Sequence, residues 1–186
     1  MTYAVAAATA VTLLLAGCNG GDKDPTPTAT ASASSTASTT STSSPSPTST
    51  TSVQLPAAAR AQTDAGAVAF ARFYILEVDR AYVTLDNSAI TAYAQRSCTN
   101  CQTAANTVEA AKSDGQRQPR PSFTITGAQT QPFPDRTVVD VYVDVADVPS
   151  VNAKGETVSP GEPGKDSFRV DLVWENGWKV KAVGPR

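Results

Sequence analysis

Histidine is absent from this chain. That removes the one side chain whose ordinary pKa lies near neutrality, and with it every Ser-His or Cys-His catalytic pair. Cysteine is scarce: of the three present only Cys98 and Cys101 are close in sequence, and two ligands fall short of the roughly four that a zinc site takes. No metal and no cofactor is expected. Basic runs are missing as well, with 15 lysines and arginines against 17 aspartates and glutamates. No clustered cation is offered to a phosphate backbone, so nucleic acid is not an expected partner. The most apolar stretch, Ala4 to Leu15, holds about a dozen residues, short of the ~20 that a membrane-crossing helix needs.

What that stretch does fit is the core of a signal peptide. It runs directly into Leu15, Ala16, Gly17 and Cys18, and this "LAGC" resembles the lipobox of bacterial lipoproteins. A branched apolar residue and two small ones suit the signal peptidase, and the cysteine sulfur receives diacylglycerol. The resemblance implies cleavage before Cys18, lipid on its sulfur, and a further acyl chain such as palmitate on its amino group. Each buried methylene contributes about 0.8 kcal/mol and stable attachment takes two anchors, which diacylation supplies at one residue. Only Met1, Thr2 and Tyr3 precede the apolar core, without the usual positive charge; a start upstream of Met1 is the expected reason.

From Pro25 to Ser52 the chain is almost wholly Thr, Ser, Ala and Pro, with no charged or aromatic residue. Such a segment buries too little apolar surface to offset its conformational entropy, so a disordered tether is expected. About 35 residues of flexible coil span roughly 35 Å on average. Its hydroxyls also permit O-glycosylation. The expected plan is therefore a leader over residues 1–17, a lipidated tether over 18–56, and a folded domain over 57–186. The domain faces the extracytoplasmic side of the cell membrane.

Inside the domain the first strong period is helical. Phe70, Phe73, Tyr74, Val78, Ala81, Tyr82 and Leu85 recur at steps of three and four, with Arg72, Glu77, Asp79 and Arg80 between them as surface. Thr63 is the expected N-cap, Asp64 suits the first turn, and Asp86 and Asn87 end the helix. A short helix over Ser88 to Ala94 and a third over about Asn100 to Ser113 follow, the latter stopped by Gly115. The remainder alternates as strand. Val139, Val141, Val143 and Val145 share one face, with Asp140, Tyr142 and Asp144 on the other, which reads as solvated and paired to Arg169 or Lys179. Near the end, Phe168, Val170, Leu172 and Trp174 precede Trp178, Val180 and Ala182. A two-residue turn would set Lys179 opposite Trp174. A three-residue turn, Glu175 to Gly177, with Gly177 left-handed, instead pairs Trp174 with Trp178, Leu172 with Val180 and Val170 with Ala182. Helices first and antiparallel strands after make an α+β fold.

The helix end "AYVTLDN", the Cys98 and Cys101 pair, and the closing "VDLVWENGWKV" resemble a family of actinobacterial lipoproteins of unknown function over about Asp64 to Arg186. The resemblance implies a domain similar to the cone-shaped nuclear transport factor 2-like fold, with helices on a curved sheet. It supplies no activity, because that fold serves enzymes and binding modules alike.

With Cys18 lipidated and the domain in an oxidising compartment, a Cys98–Cys101 disulfide is the expected state. A redox pair is the competing reading, since Cys98 stands just ahead of a helix whose dipole lowers a thiolate's pKa. Phe70, Tyr74, Trp174 and Trp178 are the candidate lining of a ligand pocket in the cone's mouth, against the plainer reading that they are core. The long segment Pro149 to Asp166, rich in Gly and Pro, is the best candidate for a contact surface. The chain is expected to be a membrane-anchored lipoprotein presenting a binding or accessory domain to an envelope protein or cell-wall component. The alternative is a small-ligand-binding or enzymatic cone that uses its apolar cavity.

Overall fold

A 3₁₀ turn, Ala57–Arg60, leads into three helices: α1 (Asp64–Thr84), α2 (Ser88–Tyr93) and α3 (Thr99–Ser113). The computed structural model describes residues 54–186; the leader, Cys18 and most of the Ser/Thr tether lie outside the described residues. Helix α1 starts where its cap dictates, the Gly66 N–H donating to Thr63 Oγ1 at 3.1 Å. Position 66 accepts only glycine. The incoming 3₁₀ segment crosses so closely that a Cβ there would lie 2.0 Å from the Ala61 carbonyl oxygen. The helix closes one residue before the expected Asp86 and Asn87 pair. Leu85 takes the left-handed conformation (φ 57°) and donates its N–H to Ala81 O at 2.8 Å. Asp86 instead begins α2, accepting the Ser88 N–H at 3.0 Å. That bond holds the Asp86 carboxyl below its usual range. Helix α3 ends in a Schellman motif, with Gly115 at φ 65° and bonds from Gln116 N to Ala111 O and from Gly115 N to Lys112 O.

Six strands follow: β1 (Phe123–Gln131), β2 (Thr137–Val145), β3 (Ser150–Val151), β4 (Thr157–Ser159), β5 (Gly164–Trp174) and β6 (Trp178–Pro185). Four of them form one antiparallel sheet in the order β1-β2-β5-β6, while β3 and β4 make a separate small hairpin. The helices cover one face. Val139, Val141, Val143, Val170, Leu172 and Val180 from the sheet meet Phe70, Tyr74, Ile90 and Val108 from the helices in a single core. Each such side chain contributes roughly 1.5–3 kcal/mol on burial. Bulges at Ile125/Gly127 and Asp171/Leu172 add local bends and twist to the sheet. The α+β expectation, helices first and a curved antiparallel sheet after, is the architecture present.

The closing hairpin keeps the two expected pairs nearest its turn, Trp174 with Trp178 and Leu172 with Val180. The third pair is corrected. Lys181 is the extra residue of the bulge, so Val170 faces Val183, and Ala182 moves to the opposite face beside Asp171. The left-handed residue of the turn is Asn176 (φ 56°), with Gly177 at φ 149°.

Two charged residues read as surface are inside. Asp79 is 2% exposed and accepts hydrogen bonds from the Ser122 and Phe123 N–H groups and the Ser122 hydroxyl, at 2.8 to 3.1 Å. It ties the middle of α1 to the start of β1. Asp140 is fully buried on the far face of the sheet, bound by Arg169 Nε at 3.0 Å and Arg186 Nε at 3.0 Å. Arg169 was among its expected partners. Lys179 was too, but it turns away to the Ala92 carbonyl.

The long connection between β2 and β5 is ordered. It carries the β3–β4 hairpin, pinned by paired backbone bonds between Arg117 and Val151 and by the buried Val148 and Val151. Most of it nevertheless faces outward, with residues 153–160, Val158 among them, and 162–166 exposed.

Candidate functional site

The four aromatics singled out from the sequence do not share a cavity. Phe70 and Tyr74 are fully buried between α1 and the sheet. Trp174 stands about 20 Å along β5 from Phe168, at six residues of roughly 3.3 Å each, with Trp178 opposite it on β6. Each end of the sheet has a cleft of its own.

The first cleft lies under the end of the sheet that holds Phe168. It encloses about 210 Å³ and is lined by Tyr74, Val78, Ala104, Phe123, Phe168 and Val183, an almost wholly apolar surface. The Tyr74 hydroxyl is buried beside it without a hydrogen-bond partner among the described residues. Burial pushes that hydroxyl well above its ordinary value.

The second cleft lies at the entrance to α1. It encloses about 520 Å³, inside the roughly 300–1,000 Å³ range of small-molecule sites. Trp178 forms its rear wall, 5% exposed, with its indole N–H donating to Ala61 O at 2.9 Å. Trp174 packs edge-on against it, ring centres 5.1 Å apart and planes at 85°, and presents a half-buried indole to the opening. Around that ring stand Gln62, Asp64, Asp135, Arg136 and Lys181. Arg136 lies 4.4 Å over the Phe133 ring and 3.9 Å from Asp171. Asp64, Asp135 and Lys181 make no ion pair among the described residues. A neighbouring cleft of about 410 Å³ shares Asp64, Arg136 and Thr137 and adds Phe133 and Gln131. Sequence reasoning found the two tryptophans. It missed the polar rim, whose members come from the entrance to α1, the β1–β2 turn and β6.

Cys98 and Cys101 are bonded to each other, and both are buried, at 1% and 2% exposure. A catalytic thiol must reach its partner, so this burial favours the structural bridge over the redox pair. Cys98 also caps α3, its sulfur accepting the Cys101 N–H at 3.3 Å. The turn it fastens runs along β6: Gln95 N–H donates to Val180 O at 2.8 Å, and Asn100 reaches Val183 O at 2.6 Å. The open edge of the sheet is thereby covered.

Neither buried carboxylate faces a cleft. Asp79 is occupied by backbone and hydroxyl donors, and Asp140 by two guanidiniums, one of which, Arg169, is raised above its ordinary value by hydrogen bonding to it. Among the described residues no group of three or more His, Cys, Asp or Glu is placed to hold a metal ion.

None of the curated proteins matches the chain. Among solved structures it is similar to the intermembrane space region of the chloroplast protein ARC6, at 9% identity, with 67% of this chain and 97% of that one covered and a TM-score of 0.53. At such identity the likeness is one of fold. A Nostoc punctiforme protein of unknown function with a cystatin-like fold (11% identity, 61% and 88% covered, TM-score 0.36) and an Rd1NTF2 variant (11% identity, 60% and 93% covered, TM-score 0.35) also match. The helices-first, sheet-after plan agrees with the nuclear transport factor 2-like expectation. Over residues 36–183 the chain matches the model of a family of unknown function, DUF6318, and it belongs to that family.

Proposed function

We propose that this chain is a lipoprotein anchored through Cys18 on the extracytoplasmic side of the cell membrane, where its α+β domain acts as a binding module for an envelope protein or cell-wall component. The anchoring half rests on the "LAGC" motif and the apolar leader ahead of it. Among the described residues no helix is long and apolar enough to cross a membrane.

The binding half rests on the tryptophan cleft. It holds a half-exposed indole beside Asp64, Asp135 and Lys181, which make no ion pair among the described residues, whereas the domain's buried carboxylates are already engaged. Binding modules are built this way, with an apolar surface for contact area and a few polar groups for orientation. The apolar cleft beside Tyr74 favours a second reading, a small apolar ligand held in the cone.

A photo-crosslinking amino acid placed at Lys181, on the tryptophan cleft, and separately at Leu76, exposed on α1, tests the choice in living cells. The expected result is an adduct from position 181 and none from 76. Equal labelling at both positions, or none at 181, sinks the binding reading of this cleft.

A further inference from the structure

The geometry points to a neutral oligosaccharide as the ligand of the tryptophan cleft. This inference rests on the binding reading above and names the class of molecule bound. The charges at the cleft cancel in number, Asp64 and Asp135 against Arg136 and Lys181. A phosphorylated ligand would meet two carboxylates, and a basic peptide two cations, so neither sign is selected. An acyl chain fits no better, because burying the charged rim against hydrocarbon leaves it without partners. The apolar cleft at the far end of the sheet is the better receptor for such a chain.

A pyranose satisfies both halves of the cleft. One face of the ring carries C–H groups that pack on the half-exposed indole of Trp174. Its rim carries hydroxyls that donate to the Asp64 and Asp135 carboxylates and accept from the Lys181 ammonium and the Gln62 amide. The platform is set before the ligand arrives: the Trp178 indole is fixed by its bond to Ala61 O, and the edge-on contact fixes Trp174 in turn. Preorganisation of this kind lowers the ordering cost of binding. The adjoining cleft continues the pattern with the Phe133 ring under Arg136 and with Gln131 and Thr130 beside it. The two adjoining clefts make room for more than one sugar unit.

Both tryptophans of the chain belong to this cleft, so intrinsic tryptophan fluorescence reports it alone. The full chain in detergent is titrated with neutral tetrasaccharides of N-acetylglucosamine, mannose and galactose, and with inorganic phosphate and dodecanoate as controls. A saturable change with at least one tetrasaccharide and with neither control is expected. Asp135→Asn, at an exposed position outside the core, weakens that binding by about tenfold, and so does Trp174→Ala, with Trp178 still reporting. If Trp174→Ala loses its circular dichroism, Asp135→Asn decides. A titration undiminished in Asp135→Asn overturns the site, and a response to phosphate or dodecanoate alone overturns the ligand class. If no tetrasaccharide changes the fluorescence while Lys181 still crosslinks in cells, the saccharide inference fails and the binding module stands. Silence in both experiments removes both.

Discussion

Tyr74 buries its whole side chain beneath the sheet, and its hydroxyl has no partner among the described residues. An unpaired buried hydroxyl costs about 1–3 kcal/mol. Replacing it with hydrogen, as in Tyr74→Phe, is therefore expected to raise stability by about 1 kcal/mol at neutral pH, read from denaturant unfolding. A loss of similar size would mean that the hydroxyl is paired after all. The same residue sets an alkaline limit. Burial raises its folded pKa above the ordinary 10.0, so the folded state favours the neutral phenol. That contribution is complete below pH 10.0 and drains away as the pH rises toward the folded value. Tyr74→Phe is expected to shift the alkaline unfolding midpoint upward. The buried acids show how much was readable at this scale. Asp79 shares the helical arc of Ala71 and Ile75, at steps of four, so its burial had a signal in the spacing. Asp140 had none, because strand alternation assigns it only to the face opposite the valines. Its burial there comes from Arg169 on β5 and Arg186 at the end of the chain folding over it.

The element that most needs a fastening is β6, the last strand of the sheet. Its open edge is covered by the connection between α2 and α3, and the Cys98–Cys101 bridge holds that connection in shape. Closing so short a loop restricts little unfolded chain, so Cys98→Ala with Cys101→Ala is expected to lose about 2 kcal/mol. The loss should be local first. Hydrogen exchange at the Gln95 amide, which donates to Val180 O, is expected to rise more than exchange in β2; equal rises would place the bridge's effect on the whole domain. Element identity was the most legible level. Thr63 marked the start of α1, and the tryptophan pair set the register of the last hairpin near its turn, because both depend on residues a few positions apart. The bulge at Lys181 escaped because nothing in its neighbours distinguishes one extra residue from the next step of the strand.

At the scale of the molecule, a domain with clefts at both ends of its sheet is proposed to hang from a lipid on Cys18. Cys18→Ser is expected to move the full chain from the membrane fraction to the soluble fraction and to abolish its incorporation of labelled fatty acid. A Cys18→Ser chain that stays with membranes would end the anchoring proposal. The periodic residues carried the information for what is short-ranged: three helices, an antiparallel sheet and the pairing of Trp174 with Trp178. Spacings of two, three and four residues are enough for those, since the partners are chain neighbours or lie across one turn. Packing alone settled the burial of Asp140 and which aromatics share an opening. Asp64 meets Arg136 and Lys181 at one cleft, while Tyr74 and Trp174 are parted to opposite ends of the sheet. These encounters join residues tens of positions apart, and no local period encodes them.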